Sequence, residues 1–236
     1  MIIAAAFCPH PPALVADVAG IRSGELDDLR TACAAAITDL AAAEPDQIVI
    51  IGSGPASVAH SPVARGSLAG FGVPLEVHLG LPGCGGALEL PLSLTVGAWL
   101  VTSTLGMRSG AVGYSADADF ARSRAATTLL AQAERQRLAL LVMGDGSARR
   151  SVAAPGYLDE RAAGFDAAIV AALATGDGDA LADVDLALAD ELLCAGAPAW
   201  RAAGALLAGD PFAAEVRYDQ APYGVGYFVA SWRAGG

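Results

Sequence analysis

The sequence predicts a single α/β domain over residues 1–236, built on a mostly parallel central sheet with helices on both faces. Three observations carry this. Short continuous apolar runs that stop at Pro or Gly recur along the chain, as in strands covered on both faces. Between them, apolar residues fall at helical spacing, and strands alternating with helices give a parallel sheet. Two alternating runs near the end have the form of an antiparallel pair that extends one sheet edge.

In chain order, residues 2–7 form the first strand. Leu26, Leu29, Cys33, Ala36, Ile37 and Leu40 mark the first long helix, with Ser23 as N-cap and Glu44-Pro45 as the stop. "QIVIIG" at 47–52 closes a β-α-β unit. "PLEVHL" (74–79) alternates like a strand, 91–104 is helical and "GAVGYS" (110–115) is a short strand. A helix over 117–137 leads to "LALLVMG" (138–144), a buried strand. Helices follow near 157–174, 179–195 and 198–208, and "AEVRYD" and "GYFVASW" form the terminal pair around "QAPYG". The loops 52–72 and 80–89 are long for an α/β unit, and long ordered loops tend to carry function.

Composition removes several classes of function. The formal net charge is −11, from 25 acids against 14 arginines, and there is no lysine. Nucleic acid is repelled over most of such a surface. Without lysine there is neither a Walker loop nor Schiff-base chemistry. The longest weakly polar stretch, 90–106, is broken by Ser, Thr and Gly and is too short to span a bilayer. "MIIAAAF" lacks a cationic leader region and is read as a strand, so a cytoplasmic location is expected. Cys8, Cys33, Cys84 and Cys194 are scattered, with no C-x-x-C pair, and are expected to be buried free thiols.

In open α/β sheets, ligands bind outside the carboxyl ends of the strands. That rule selects "CPHPP" after the first strand, "GSGPASVAH" after the second and "GDGSARR" after "LLVM". His10 and His60 fall on this rim, whereas His78 lies inside a strand pattern. In "LADVDLALADELLCAG" the stripe Leu181, Val184, Leu188, Leu192 and Ala195 places Glu191 on its flank while Asp183 and Asp190 point away, so that apart from Asp185 it is the acid nearest the interior. Two imidazoles and one carboxylate are the ligand set of a non-haem Fe(II) facial triad. The alternative is two hydrogen-bonded structural histidines and a solvated glutamate.

The whole-chain pattern resembles the class III extradiol dioxygenase catalytic-subunit superfamily, a LigB-like fold shared with the Memo proteins. The resemblance rests on "CPHPPALV", "IVIIGSGP", "LLVMGDGSA", "ELLCAGAPAW" and the closing "YGVGYFVASW", taken in order. It implies an Fe(II) site with His10 as the first ligand and Glu191 as the carboxylate. The implied activity is O2-dependent ring opening of a catechol-like aromatic substrate, and a homodimer is compatible with the family.

The chain departs from the family at two places. Where the second metal histidine usually follows strand two, it has Ser53-Gly54-Pro55, with His60 farther on. Where the acid/base histidine is expected, it has Ala148. Gly54, Asp145 and Ser147 are the ligand-contact candidates, although "GDGS" also reads as a tight turn. Arg149 and Arg150 suit an anion but also read as exposed loop residues. The expectations are therefore an Fe(II) enzyme using His10, His60 and Glu191, or a degenerate Memo-like protein that binds a small molecule or partner in the same cleft. A serine hydrolase using Ser53 or Ser147 lacks the nucleophile-elbow motif.

Overall fold

The computed structural model describes residues 1–80, 87–106 and 110–235. Among these, the strands are β1 (Ile2–Cys8), β2 (Gln47–Ser53), β3 (Val58–Ala59), β4 (Arg65–Ser67), β5 (Glu76–His78), β6 (Ala111–Ala116), β7 (Leu138–Met143), β8 (Phe212–Gln220) and β9 (Tyr227–Ala234). The helices are α1 (Ala16–Ala19), α2 (Asp27–Ala42), α3 (Leu92–Leu105), α4 (Arg124–Ala133), α5 (Arg161–Thr175), α6 (Gly178–Ala182), α7 (Leu186–Glu191) and α8 (Ala197–Leu207).

Seven strands form one mixed sheet in the order β3-β6-β2-β7-β1-β9-β8. β6, β2, β7 and β1 are parallel, while β3, β9 and β8 join antiparallel to their neighbours. The four parallel strands are apolar almost throughout because both of their faces are covered. Along β1 the pleat sends Ala5 and Phe7 to one layer and Ala4, Ala6 and Cys8 to the other. The first layer packs under α4, α5, α6 and α8 and holds Trp200, Phe228 and Trp232. The second packs under α2 and α3 through Leu29, Cys33, Ile37, Leu94 and Val101.

Trp232 ties β9 into the first layer. Its ring lies 4.8 Å from that of Phe7 between centroids, and its buried Nε1–H donates to the Leu173 carbonyl at 2.7 Å. An indole buried in this way contributes on the order of 4 kcal/mol of transfer free energy, provided its N–H is satisfied.

Several elements differ from the sequence reading. The first long helix, α2, starts at Asp27, so Ser23 is not at its N-cap position and falls inside a 3-10 stretch, Gly20–Leu26. The helix expected over 117–137 begins only at Arg124. Ser123 caps it by accepting the Ala126 N–H, and the residues before it form a turn in which the Ser57 hydroxyl donates to Asp117 at 2.6 Å. The helix expected over 179–195 is two short ones, because Asp177 caps α6 and Asp185 caps α7. "PLEVHL" supplies β5, which pairs with β4 in a separate two-stranded sheet and lies outside the main one. Among the described residues, no helix is long and apolar enough to cross a membrane.

Candidate active-site rim

β1 and β7 lie side by side and end together, with the Gly144 N–H donating to the Cys8 carbonyl at 2.9 Å. Directly beyond this junction, the His10 N–H donates to Asp145 Oδ1 at 2.7 Å. The His10 imidazole is buried, and its Nδ1 sits 3.5 Å from the same oxygen. That separation is too long for a good hydrogen bond but close enough for the carboxylate to favour the proton on Nδ1. Nε2 is then the acceptor. Pro9, Pro11 and Pro12 have no backbone N–H and fix φ, so the backbone at His10 has little freedom.

The loop after β7 is built around Asp166 of α5, which is 1% exposed. Its Oδ1 accepts the Ser147 N–H at 2.9 Å, and its Oδ2 accepts from Arg150 Nη1 at 2.8 Å. Burial raises the Asp166 pKa above its usual range, with the Ser147 amide and Arg150 opposing. Glycines make the approach possible: a Cβ on Gly226 would fall onto Asp166 Oδ2, and one on Gly146 would come within 3.0 Å of Oδ1. The Gly146 N–H donates to the Gly226 carbonyl at 2.7 Å, and the Gly226 N–H donates to the Ser147 carbonyl at 3.0 Å. Gly144 packs backbone to backbone on Gly196, whose N–H donates to the Asp145 carbonyl at 2.8 Å.

Cys194 and Tyr227 sit close enough to Asp145 to feel its charge. Burial pushes the Cys194 thiol up to about 12 and also raises the Tyr227 phenol, with Asp145 adding to both shifts. Both therefore stay protonated around an acceptor-rich spot.

The site residues expected from sequence separate into two groups. Asp145 belongs with His10 on the rim. Ser147 is in the same loop but fully buried: its hydroxyl donates to the Leu192 carbonyl at 2.8 Å and accepts the Arg149 N–H. It acts as the turn residue of the alternative reading, and its oxygen, buried and held by these two bonds, is not presented as a nucleophile. Gly54 serves a close approach, since a Cβ there would lie 2.7 Å from Ser115 Cβ, and its N–H donates to the Ala116 carbonyl. Arg150 is committed to Asp166.

His60 and Glu191 lie away from His10. His60 follows β3, four strand positions from β1 and so roughly 19 Å across the sheet at about 4.8 Å per strand. Its Nε2 lies 3.1 Å from Ser115 Oγ beside a cavity of about 380 Å³. Glu191 ends α7 with its side chain 59% exposed and pairs with Arg161 at 2.7 Å. The apolar stripe that placed Glu191 toward the interior assumed one unbroken helix, and the Asp185 cap interrupts it.

A facial triad needs three donor atoms within about 2 Å of one ion. These three residues do not converge, and among the described residues no group of three or more His, Cys, Asp or Glu is placed to hold a metal. The expected Fe(II) ligand set therefore does not fit this arrangement. Cys8, Cys33 and Cys194 are buried free thiols, whereas Cys84 and most of the loop 80–89 lie outside the described residues.

Among the described residues, three buried side-chain nitrogen or oxygen atoms have no hydrogen-bond partner: His10 Nδ1, Ser53 Oγ and Arg149 Nε. Ser53 ends β2, His10 follows β1 and Arg149 follows β7, and these three strands are adjacent. Unpaired buried polar atoms are uncommon and costly; His10 and Ser53 lie at the strand ends themselves, whereas Arg149 is six residues past β7 and packs against Gly156. No family model matches the chain, and no curated protein does. Sequence reasoning missed Asp166, although it lies on the stripe Ala162, Asp166, Ile169 and Leu173 and is the one acid in that register.

Proposed function

We propose that this chain is a divergent relative of the extradiol dioxygenase catalytic subunits that binds a small catechol-like ligand on the rim of β1, β7 and β2. In this reading it works without a three-residue iron site. The observation that carries the proposal is the largely buried His10–Asp145 pair, held together at the carboxyl ends of the adjacent strands β1 and β7.

The chemistry of the pair at its centre suits a vicinal diol. Asp145 Oδ1 is occupied by the His10 N–H, and no hydrogen bond occupies Oδ2 among the described residues. With its proton on Nδ1, His10 offers Nε2 as a second acceptor. Two neighbouring acceptors match the two hydroxyl donors of a catechol, and an acceptor pair of this kind can also hold a proton taken from the ligand. Ala148 supplies no third proton carrier.

The test is calorimetric titration of the chain with catechol under anaerobic conditions, with and without Fe(II). Saturable binding independent of Fe(II), lost in His10→Ala and Asp145→Asn and kept in Glu191→Ala, supports the reading. Stoichiometric Fe(II) binding abolished by His10→Ala, His60→Ala and Glu191→Ala overturns it in favour of an iron-dependent dioxygenase. No catechol binding under either condition overturns it outright.

A further inference from the structure

We propose that the cavity between β3 and the start of α3 is a second binding site, for a small apolar ligand that carries a primary ammonium group. Val58, Leu88, Leu90 and Pro91 form much of its wall, and His60, Glu89 and Ser115 supply its polar side chains. Its volume of about 380 Å³ is at the small end of ligand pockets, which run roughly 300–1,000 Å³. Val58 and Leu88 are 44% and 55% exposed, so apolar surface stands open around it.

The hydrogen bonds decide which ligand fits. The Ser115 hydroxyl has one proton and donates it to the Ala56 carbonyl at 2.8 Å. Toward His60 Nε2, 3.1 Å away, Ser115 can therefore only accept, which places the imidazole proton on Nε2. Nδ1 is left as a lone pair with no hydrogen bond among the described residues. Burial lowers the His60 pKa, which favours the neutral ring.

Glu89 makes no ion pair or side-chain hydrogen bond among the described residues, and its charge reaches His60. Both side-chain donors of the cavity are thus used internally, and what remains is a ring nitrogen lone pair and a carboxylate. Such a site selects a donor with positive charge, and the −11 chain favours the approach of cations. Two ligating side chains are too few for a metal ion, whereas an ammonium with three N–H donors and a hydrocarbon body can use the lone pair, the carboxylate and the wall together.

The site does not depend on the rim reading, and its test is separate. The full chain is titrated with benzylamine, with benzyl alcohol and benzoate as neutral and anionic controls, and shifts are followed by NMR at Val58, His60 and Ser115. The expected order is benzylamine tightest and benzoate without saturation. Glu89→Gln should weaken benzylamine about tenfold, as loss of a charge-assisted bond does, and His60→Phe should weaken it while keeping the volume filled. Glu89 is exposed, so its variant tests binding without risking the fold. Benzylamine binding no better than benzoate, or equally well in both variants, overturns the proposal.

Discussion

Asp166 and Arg150 meet at 2.8 Å with the carboxylate 1% exposed and the guanidinium side chain 27% exposed. The pair ties α5 to the loop that carries Asp145. Breaking a buried pair from one side leaves an uncompensated polar group, at a cost of about 3–5 kcal/mol when both partners are dry. Because Arg150 is partly in water, Asp166→Ala is expected to lose about 2–4 kcal/mol, read from urea denaturation. The combined Asp166→Leu, Arg150→Met variant should lose less than the two single losses together, because no lone charge remains.

Glycine positions in the same region predict changes of opposite sign. Gly226→Ala drives a methyl into the Asp166 carboxylate, and Gly144→Ala drives one to 2.7 Å from the Gly196 Cα. Each should cost about 1–3 kcal/mol by overpacking. Gly164 lies within α5, with nothing within 4 Å of its Cβ position. Gly164→Ala should therefore stabilise by about 0.5–1 kcal/mol, the difference in helix propensity. Thermal unfolding of the three variants would show the two signs.

His60 predicts a slope in stability against pH. Burial lowers its pKa from 6.5, with Glu89 partly opposing. The unfolded chain takes up the proton near 6.5 and the folded chain only at lower pH. Between those points the unfolded state binds more protons, so stability falls as pH drops through the window just below 6.5 and is unaffected by this group above it. His60→Gln should flatten that part of a midpoint-versus-pH curve, and an NMR titration should place the His60 midpoint under 6.5.

Thiol reactivity provides a check on the layers beside the sheet. Cys8, Cys33 and Cys194 are buried, and burial pushes the Cys33 and Cys194 thiols up, which keeps the reactive thiolate scarce. In a Cys84→Ser chain, a thiol reagent in native buffer should react negligibly over the time in which the urea-unfolded chain reacts completely at all three thiols. Fast reaction of any one of them without denaturant would contradict the packing of α2 on β1 or of the 192–196 loop on β7.

The central strands were legible because burial on both faces leaves a plain signal. "IIAAAFC", "QIVIIGS" and "LALLVM" are continuous apolar runs, and the structure places them together in the parallel part of the sheet. The terminal hairpin was legible from alternation and from the Pro and Gly between its strands. The breaks were not. Asp185 looks like an ordinary polar position on a helix until the N–H groups it accepts are seen, and β5 alternates like a strand of the main sheet although it pairs with β4.

The site divided along the same line. His10 and Asp145 follow directly from strands that could be recognised, and the strand-end rule brings them together. His60 depends on a two-residue strand paired across to β6, and Glu191 on a helix register that a cap resets. Those are long-range or single-residue effects without a periodic trace.

Both neighbours of β1 come from far along the chain: Ala5 pairs with Leu140 on one side and Trp232 on the other. On the ribosome β1 gains its first neighbour only when β7 has been made, and the edge of "IIAAAFC" that faces β9 stays open until Tyr227–Ala234 follow. Closure of loops this large is slow, so folding in this protein is a late event, completed only when β9 arrives. A chain stopped before Tyr227 would leave His10 and its strand exposed along one side, open to capture by chaperones or by the same strand of another nascent copy.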